Sequence, residues 1–245
     1  PKGCGKAAGM GMVLKALGLG PADSWAFGDS YNDVDMLAAA GVGVAMGNAA
    51  PAVKSAARFV TDTNDNDGVA KALERFARVT CMVKNFRGMR IGQVGMRPKI
   101  FCSVIFNEGE LMQRFGLHII PINNALIAEK FQKIMKERED ELALGEQEFL
   151  NRYDVDDFTH SLLKRIYAFV LLFKELFEEY NLDVISSECW TSMEKICGVL
   201  PCAAYGFLLD QGYLVSCESD MHGAITMALL SCAAMGQQPP FFGEF

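Results

Sequence analysis

The stretch Ala26-Phe27-Gly28-Asp29-Ser30-Tyr31-Asn32-Asp33 decides the fold predicted for the first part of the chain. An apolar run ends at a glycine, polar side chains follow within a few residues, and a helical pattern begins at Val34. This order is typical of a buried strand, a tight turn and a helix. Two further apolar runs, Val42–Met46 and Phe59–Thr61, alternate with helical segments. The alternation predicts an α/β fold with a mainly parallel sheet.

Ligands of such sheets bind at the carboxyl ends of the strands. Asp29 and Asp33 follow one predicted strand and offer the hard oxygen atoms that suit Mg²⁺. Asn32 and Asn48 lie in the turns after two strands and can hydrogen-bond phosphate oxygens, while Lys6 adds a compact positive charge. These side chains supply the electrostatic stabilisation that phosphoryl transfer needs. The alternative is that the two aspartates only cap the helix beginning near Val34.

Four motifs in this segment carry a family resemblance: Lys2-Gly3-Cys4-Gly5-Lys6, Gly28-Asp29-Ser30-Tyr31-Asn32-Asp33, Val44-Ala45-Met46-Gly47-Asn48-Ala49 and Asn66-Asp67-Gly68-Val69. With them, residues 1–80 resemble the C-terminal part of a Cof-like sugar phosphatase of the haloacid dehalogenase superfamily. The resemblance implies that Lys6 steadies a phosphoaspartate and that Asp29 and Asp33 serve a Mg²⁺ site.

The nucleophile motif of that family, Asp-x-Asp-x-Thr after an apolar strand, has no good match in this sequence. The stretch Asp154–Thr159 is similar in spelling but precedes a long helical pattern, so we interpret Asp156 and Asp157 as the cap and first turn of that helix. We therefore expect a truncated phosphatase segment that does not hydrolyse phosphate esters.

Composition narrows the range of partners and surroundings. The chain has 245 residues and a net charge of −7 without a basic stripe, which argues against nucleic acid as a partner. The sequence contains neither an apolar run long enough to span a bilayer nor a secretory leader. We expect a cytoplasmic protein that does not act at membranes, whose eight cysteines are mostly buried and reduced.

A change of composition near Arg78 predicts a second α/β segment over residues 81–245, again truncated and Rossmann-like with three layers. Its helices are predicted over 127–142, 158–180 and 222–234, and two of its strands over 182–186 and 212–216. Glu188 and Glu218 follow those two strands, where carboxylates from different strand ends can share a divalent cation and move protons. Spacing alone leaves open that both are solvated loop residues. Asp220 follows the same strand, and we interpret His222 as a cap or surface residue.

A second resemblance rests on Arg87–Pro98, Leu111–Gly116, Ser187–Trp190, Leu200–Cys202, Asp210–Gly212 and, most specifically, Cys217-Glu218-Ser219-Asp220-Met221-His222-Gly223. With these stretches, residues 87–242 resemble an internal part of the L-fucose/L-arabinose isomerase-like family. The resemblance implies aldose–ketose isomerisation through an ene-diol with Mn²⁺. It also implies that Glu218 is a metal ligand and catalytic group, that Glu188 is a second carboxylate, that a histidine ligand follows further on, and that homo-oligomers form.

Together the sequence predicts an enzyme of carbohydrate metabolism, isomerase-like over its larger part and joined to a Mg²⁺-dependent phosphatase-like segment. Its ligands would be sugars or sugar phosphates. Three alternatives remain open: a haloacid dehalogenase-type phosphatase, a catalytically inactive binding module, and an artificial composite of two truncated halves.

Overall fold

The computed structural model describes residues 5–160, 162–190 and 192–243. Cys4 and the beginning of the first lysine-bearing motif lie outside these residues. The chain divides into two compact units, Pro1–Ala77 and Arg78–Phe245. Helix α4 (Gly68–Phe86) includes the boundary between them. Within the described part of the chain, no helix combines the length and apolar character needed to span a bilayer.

The first unit contains a three-stranded parallel sheet in the order β1-β2-β3. Its small core consists mainly of alanines, valine and leucine, because short side chains let the helices approach the short strands closely. Its elements are α1 (Lys6–Ala16), β1 (Trp25–Gly28), α2 (Val34–Ala39), β2 (Val42–Ala45), α3 (Pro51–Ala56) and β3 (Phe59–Val60), followed by α4.

The second unit contains a four-stranded parallel sheet in the order β5-β4-β6-β7. The parallel register pairs the last residues of β4 and β6, Val94 with Ser187, so the chain leaves both strands at the same edge of the sheet. The strands are β4 (Arg90–Val94), β5 (His118–Ile122), β6 (Val184–Ser187) and β7 (Val215–Ser216).

Helices cover both faces of this sheet. The larger core surrounds the buried face of α9, whose Phe169 and Phe173 are fully buried. A smaller core joins the sheet to α12 and α5 through Ile91, Val184 and Ala224. The helices are α5 (Glu108–Phe115), α6 (Asn124–Glu137), α7 (Glu139–Arg152), α8 (Asp157–His160), α9 (Leu163–Tyr180), α10 (Ser192–Cys197), α11 (Cys202–Asp210) and α12 (Met221–Ala233).

These two parallel sheets confirm the predicted α/β class, but two predicted helices are each divided. The helix predicted over 127–142 ends at Glu137, and α7 begins at Glu139 after Arg138 leaves the helical conformation (φ −119°, ψ 38°). The helix predicted over 158–180 becomes α8 and α9. The strand predicted over 212–216 is reduced to its last two residues, because Gly212 ends the preceding helix with a positive φ of 85°.

Candidate functional site

Asp33 organises the turn that follows β1. Its side chain is 3% exposed, and its Oδ2 accepts the backbone N–H groups of Asp29 (3.1 Å) and Ser30 (3.0 Å), while Oδ1 pairs with the Lys6 ammonium group. A Cβ atom on Gly28 would lie 2.4 Å from the Cβ of Asp33, so only glycine lets this carboxylate fold back under the turn.

Burial alone would raise the pKa of Asp33. The hydrogen bonds from Lys6 and from the amides of Ser30 and Asp29 outweigh that effect and hold the pKa below its ordinary value of 3.8. Asp33 is therefore an ionised, internally satisfied carboxylate. The expectation that it only caps a helix is too narrow, because its partners include a lysine from another element.

Asp29 points to solvent at the same edge of the sheet. Its Oδ1 accepts the Ser30 hydroxyl (3.1 Å) and its Oδ2 accepts the side-chain amide of Asn48 (3.3 Å) from the turn after β2. Asn48 in turn accepts the backbone N–H of Asn64 (3.1 Å). The carboxyl ends of β1 and β2 thus bring Asp29 and Asn48 together. Asn32 lies exposed in the short 3₁₀ turn Tyr31–Asp33.

These side chains fit a Mg²⁺ ion that binds directly to one carboxylate, that of Asp29. Each Asp29 oxygen accepts one hydrogen bond and the residue is exposed, so lone pairs remain for a hard cation. Asp33 has both oxygens occupied by N–H donors and faces inward. Asp29 would therefore hold the ion directly, and Asp33 would hold the turn that presents Asp29.

In the second unit, Glu188 follows β6 and is 4% exposed. Its Oε2 accepts the side-chain amide of Asn124 (3.1 Å) and the backbone N–H of Met96 (3.3 Å), and its Oε1 accepts the N–H of Ser192 (3.3 Å). Glu188 is therefore not a solvated loop residue, and that alternative is wrong for it. Gly95 explains the close packing, because a Cβ there would lie 2.4 Å from Oε2.

Glu218 follows β7 in an unusual turn. Glu218 and Ser219 have φ values of 61° and 55°, a left-handed conformation that costs a non-glycine residue about 1–3 kcal/mol. Backbone hydrogen bonds hold the turn: Ser219 N–H donates to the Ser187 carbonyl (3.0 Å) and Asp220 N–H to the Cys217 carbonyl (3.0 Å). Such strain persists where the surrounding structure requires it, as it does at functional sites.

The turn places Glu218 in a cavity of about 520 Å³. The Trp190 indole N–H donates to Oε1 of Glu218 (3.2 Å), and the ring of Phe101 packs edge-on against Trp190 with centroids 5.6 Å apart. The cavity therefore combines one carboxylate with aromatic and aliphatic walls, to which Tyr205, Leu200, Leu209 and Phe241 contribute.

Three thiols share this cavity. Cys189, Cys202 and Cys217 all line it, and interaction with the Cys217 thiol lowers the pKa values of Cys189 and Cys202. The expectation of mostly buried cysteines is wrong in part: among the described cysteines, Cys189 and Cys197 are buried, whereas Cys102 and Cys202 are exposed.

The predicted Mn²⁺ site is not assembled by these side chains. Glu188 has both oxygens occupied by N–H donors and Glu218 faces the cavity and Trp190. No group of three or more potential ligands occurs in residues 5–160, 162–190 and 192–243. Glu218 can offer one carboxylate ligand, and the set as a whole does not fit the ion.

The remaining polar candidates have structural roles. Asp220 caps α12, since its Oδ1 accepts the N–H of Gly223 (2.9 Å). Asp156 caps the short helix α8 by accepting the N–H of Thr159 (2.7 Å), as predicted. His222 is exposed in the first turn of α12.

Trp190, Tyr205, Asn124 and the three clustered cysteines have no role predicted from the sequence. Trp190 could have been found, because it lies two residues after Glu188 at the end of a predicted strand. Tyr205 and Asn124 reach the site from helices distant in sequence, Tyr205 by donating to Ser187 Oγ (2.7 Å). No local pattern shows such a contact.

Comparisons with known proteins find two kinds of relative. Residues 1–73 match the family of haloacid dehalogenase-like hydrolases. A 5-amino-6-(5-phospho-D-ribitylamino)uracil phosphatase from Bacillus subtilis, YcsE, is 49% identical over 74 residues, which are 30% of this chain and 30% of the phosphatase. An uncharacterized protein from the pdhA 5′ region of Geobacillus stearothermophilus is 43% identical over 75 residues, 31% of this chain and 79% of that protein.

The larger part has different relatives. A sulfoquinovose isomerase from Alkalicoccus urumqiensis is 28% identical over 184 residues, 74% of this chain and 40% of the isomerase. The chain thus spans less than half the length of this relative. The chain is a composite in which residues 1–73 match the haloacid dehalogenase-like hydrolases and residues 87–242 resemble sugar isomerases of the L-fucose/L-arabinose isomerase-like group.

Proposed function

We propose that the larger unit binds an aldose in the cavity beside Glu218, as part of an aldose–ketose isomerase of carbohydrate metabolism. The observation that supports this most is the strained turn that presents Glu218 next to Trp190 in a 520 Å³ cavity. A sugar ring offers C–H faces to an aromatic wall and hydroxyl groups to a carboxylate, and this cavity supplies both.

The chemistry proposed for Glu218 is proton transfer. Isomerisation through an ene-diol moves a proton between neighbouring carbon atoms, and a positioned carboxylate can accept and return it. Trp190 orients the Glu218 carboxylate through its N–H donor. Glu188 stays part of the proposal as a second carboxylate, held by three N–H donors at the adjacent strand end. Of these two carboxylates, Glu218 is the one that can bind Mn²⁺. The proton transfer does not depend on that ion.

The test uses tryptophan fluorescence. The chain has two tryptophans, so Trp25→Phe leaves Trp190 as the reporter of the cavity. We expect D-glucose, L-fucose or sulfoquinovose to change Trp190 emission in a saturable way. Glu218→Gln should weaken that binding at least tenfold, about 1.4 kcal/mol, whereas the control Glu194→Gln, an exposed carboxylate on α10, should not.

A saturable response that is equal in the Glu218→Gln and Glu194→Gln proteins would refute sugar binding at this site. Turnover by this chain should be absent or very low, because Glu218 is the carboxylate that lines the cavity in the described residues and Glu188 is held by amides. Aldose–ketose conversion with Mn²⁺ that Glu218→Gln abolishes would contradict that expectation.

A second candidate function belongs to the first unit. We propose that Asp29 binds Mg²⁺ and that Asn48, Asn32 and Lys6 receive a phosphate group, as in a Mg²⁺-dependent sugar-phosphate phosphatase. The contact between Asp29 and Asn48 at the ends of β1 and β2 supports this. The positive charge of Lys6 would favour a bound phosphate, although Lys6 is also paired with Asp33.

Calorimetric titration with Mg²⁺ tests the second proposal. We expect weak binding that Asp29→Ala removes and that the control Asp35→Ala, an exposed residue of α2, leaves intact. We also expect no hydrolysis of p-nitrophenyl phosphate. Hydrolysis that disappears with Asp29→Ala would show that the unit is an active phosphatase.

A further inference from the structure

The cavity beside Glu218 is lined by a group of thiols that have no role in the proposed isomerisation. Cys217 ends the strand-to-turn connection after β7, Cys189 follows β6, and Cys202 is the first residue of α11. All three line one cavity, and the Cys217 thiol interacts with both of the others strongly enough to shift their pKa values. Thiols that line the same cavity can form a disulfide where side-chain rotation brings their sulfur atoms within bonding distance.

Two of these thiols differ from the third in their access to reagents. Cys189 is 4% exposed, whereas Cys202 is exposed and Cys217 is half-buried. Cys202 also lies at the N-terminus of a nine-residue helix, where the helix dipole favours a thiolate. The neighbouring Cys217 thiol lowers the pKa of Cys202 to about 6. By contrast, burial raises the pKa of Cys197, on the preceding helix, to about 12.

We propose that Cys202 and Cys217 are a modification site that forms a reversible disulfide when the protein meets a hydroperoxide. The Cys202 thiolate attacks one peroxide oxygen, the O–O bond breaks, and the departing oxygen leaves as hydroxide or alkoxide. Cys202 is then a sulfenic acid. The Cys217 thiol attacks its sulfur, an S–S bond forms and water leaves. The two thiols lose two electrons together and the hydroperoxide gains them.

The position of Cys217 connects this chemistry to the cavity. Cys217 immediately precedes Glu218, and its carbonyl accepts the Asp220 N–H that closes the left-handed turn. A bond from Cys217 to Cys202 would join that turn to the start of α11 and tie two walls of the cavity together. The disulfide itself depends only on the thiols, so the proposal stands or fails independently of sugar isomerisation.

The experiment treats the full chain with hydrogen peroxide, blocks remaining thiols and maps disulfides by mass spectrometry without reduction. Chymotrypsin is the suitable protease, because residues 196–245 contain no lysine or arginine and Tyr205 and Tyr213 lie between the two cysteines. We expect a Cys202–Cys217 cross-link that dithiothreitol removes. It should be at least tenfold more abundant than any link to Cys102, the exposed cysteine of the loop after β4.

Variants give the second measurement. Cys202→Ser and Cys217→Ser should each abolish the cross-link, whereas the control Cys102→Ser should leave it unchanged. Circular dichroism confirms that each variant is folded, and Cys217→Ala replaces Cys217→Ser if that protein is not. The proposal is overturned if Cys202 oxidises to sulfinic acid without a cross-link, or if Cys189 replaces Cys202 as the main partner in the native protein. Cys81 and Cys232 line another cavity of the same unit. A link between them that forms at the same peroxide concentration and in equal yield would also overturn the proposal, since oxidation would then be unselective.

Discussion

At the scale of single residues, the carboxylates of this chain divide into those that hold the structure and those that face ligands. Asp33 and Glu188 have similar surroundings. Each is almost fully buried and accepts hydrogen bonds from backbone N–H groups of a turn at a strand end. Asp29 lies in the same turn as Asp33, Glu218 follows β7, and these two carboxylates face solvent or a cavity. The buried carboxylate therefore sets the turn, and its exposed counterpart is available for chemistry.

Asp33→Asn tests the structural half of this division. At pH 7 the variant should lower the free energy of unfolding by about 1–3 kcal/mol, because an amide group cannot accept from both backbone N–H groups and also pair with Lys6. Urea denaturation followed by Trp25 fluorescence in a Trp190→Phe background measures it. The control Asp35→Asn, in the exposed first turn of α2, should change stability by less than about 0.5 kcal/mol.

The same substitution has a defined pH dependence. The folded-state pKa of Asp33 is lowered, so its stabilisation is complete above the ordinary value of 3.8 and is lost as the pH falls through the lower folded value. The difference between the native protein and Asp33→Asn should therefore be constant from pH 7 to about pH 5 and shrink below 3.8. A difference that instead shrinks between pH 7 and pH 5 would mean that another group is responsible.

The sequence predicts which residues lie in these turns but not how their side chains are oriented. The spacing of Asp29 and Asp33 predicts that both follow one strand, yet it cannot show which carboxylate turns inward. That choice depends on the missing Cβ of Gly28 and on Lys6, which approaches from 27 residues away. The thiol group was missed for the same reason, because its members come from three separate elements.

At the scale of elements, the division between α6 and α7 shows where local patterns stop being sufficient. Neither proline nor glycine interrupts residues 127–142, so helical periodicity continues through Arg138. The structure breaks there, and both helices then pack their apolar faces on α9 through residues such as Phe131 and Phe149. The packing of two faces on one helix outweighs the local preference for continuity.

Arg138 secures this break. Its guanidinium group donates to both oxygens of Glu141 (2.6 and 2.5 Å) and to Glu175 of α9 (2.7 Å). We expect Arg138→Ala to lower the free energy of unfolding by about 1–2 kcal/mol. The effect is no larger because solvent screens Glu141 and Glu175, which are partly exposed. Urea denaturation followed by Trp190 fluorescence in a Trp25→Phe background provides the measurement.

Arg114 is the matched control for Arg138. It pairs with Glu110 one helical turn away (2.7 Å), and both side chains are about half exposed or more. Such a pair contributes about 0.2–0.5 kcal/mol. If Arg114→Ala and Arg138→Ala have equal effects, the contact between Arg138 and α9 contributes nothing measurable.

At the scale of the whole molecule, the two units carry separate cores, separate parallel sheets and separate candidate sites. Each site follows the same rule, with polar side chains at the carboxyl ends of parallel strands. The fold class could be predicted from this alternation of strands and helices, because it is a periodic property of the sequence. The cavity could not, because its walls come from residues between Cys189 and Gly243 that meet only after folding.

Separate sites should respond to separate ligands. We expect Asp29→Ala to abolish Mg²⁺ binding and to change sugar affinity by less than about twofold, or 0.4 kcal/mol. Glu218→Gln should do the reverse, and the double variant should show both losses additively. Each unit contains one tryptophan, Trp25 or Trp190, so titrations in the Trp190→Phe and Trp25→Phe backgrounds read the two sites separately. A change of more than about tenfold in both affinities from either single substitution would show that the two sites are energetically coupled.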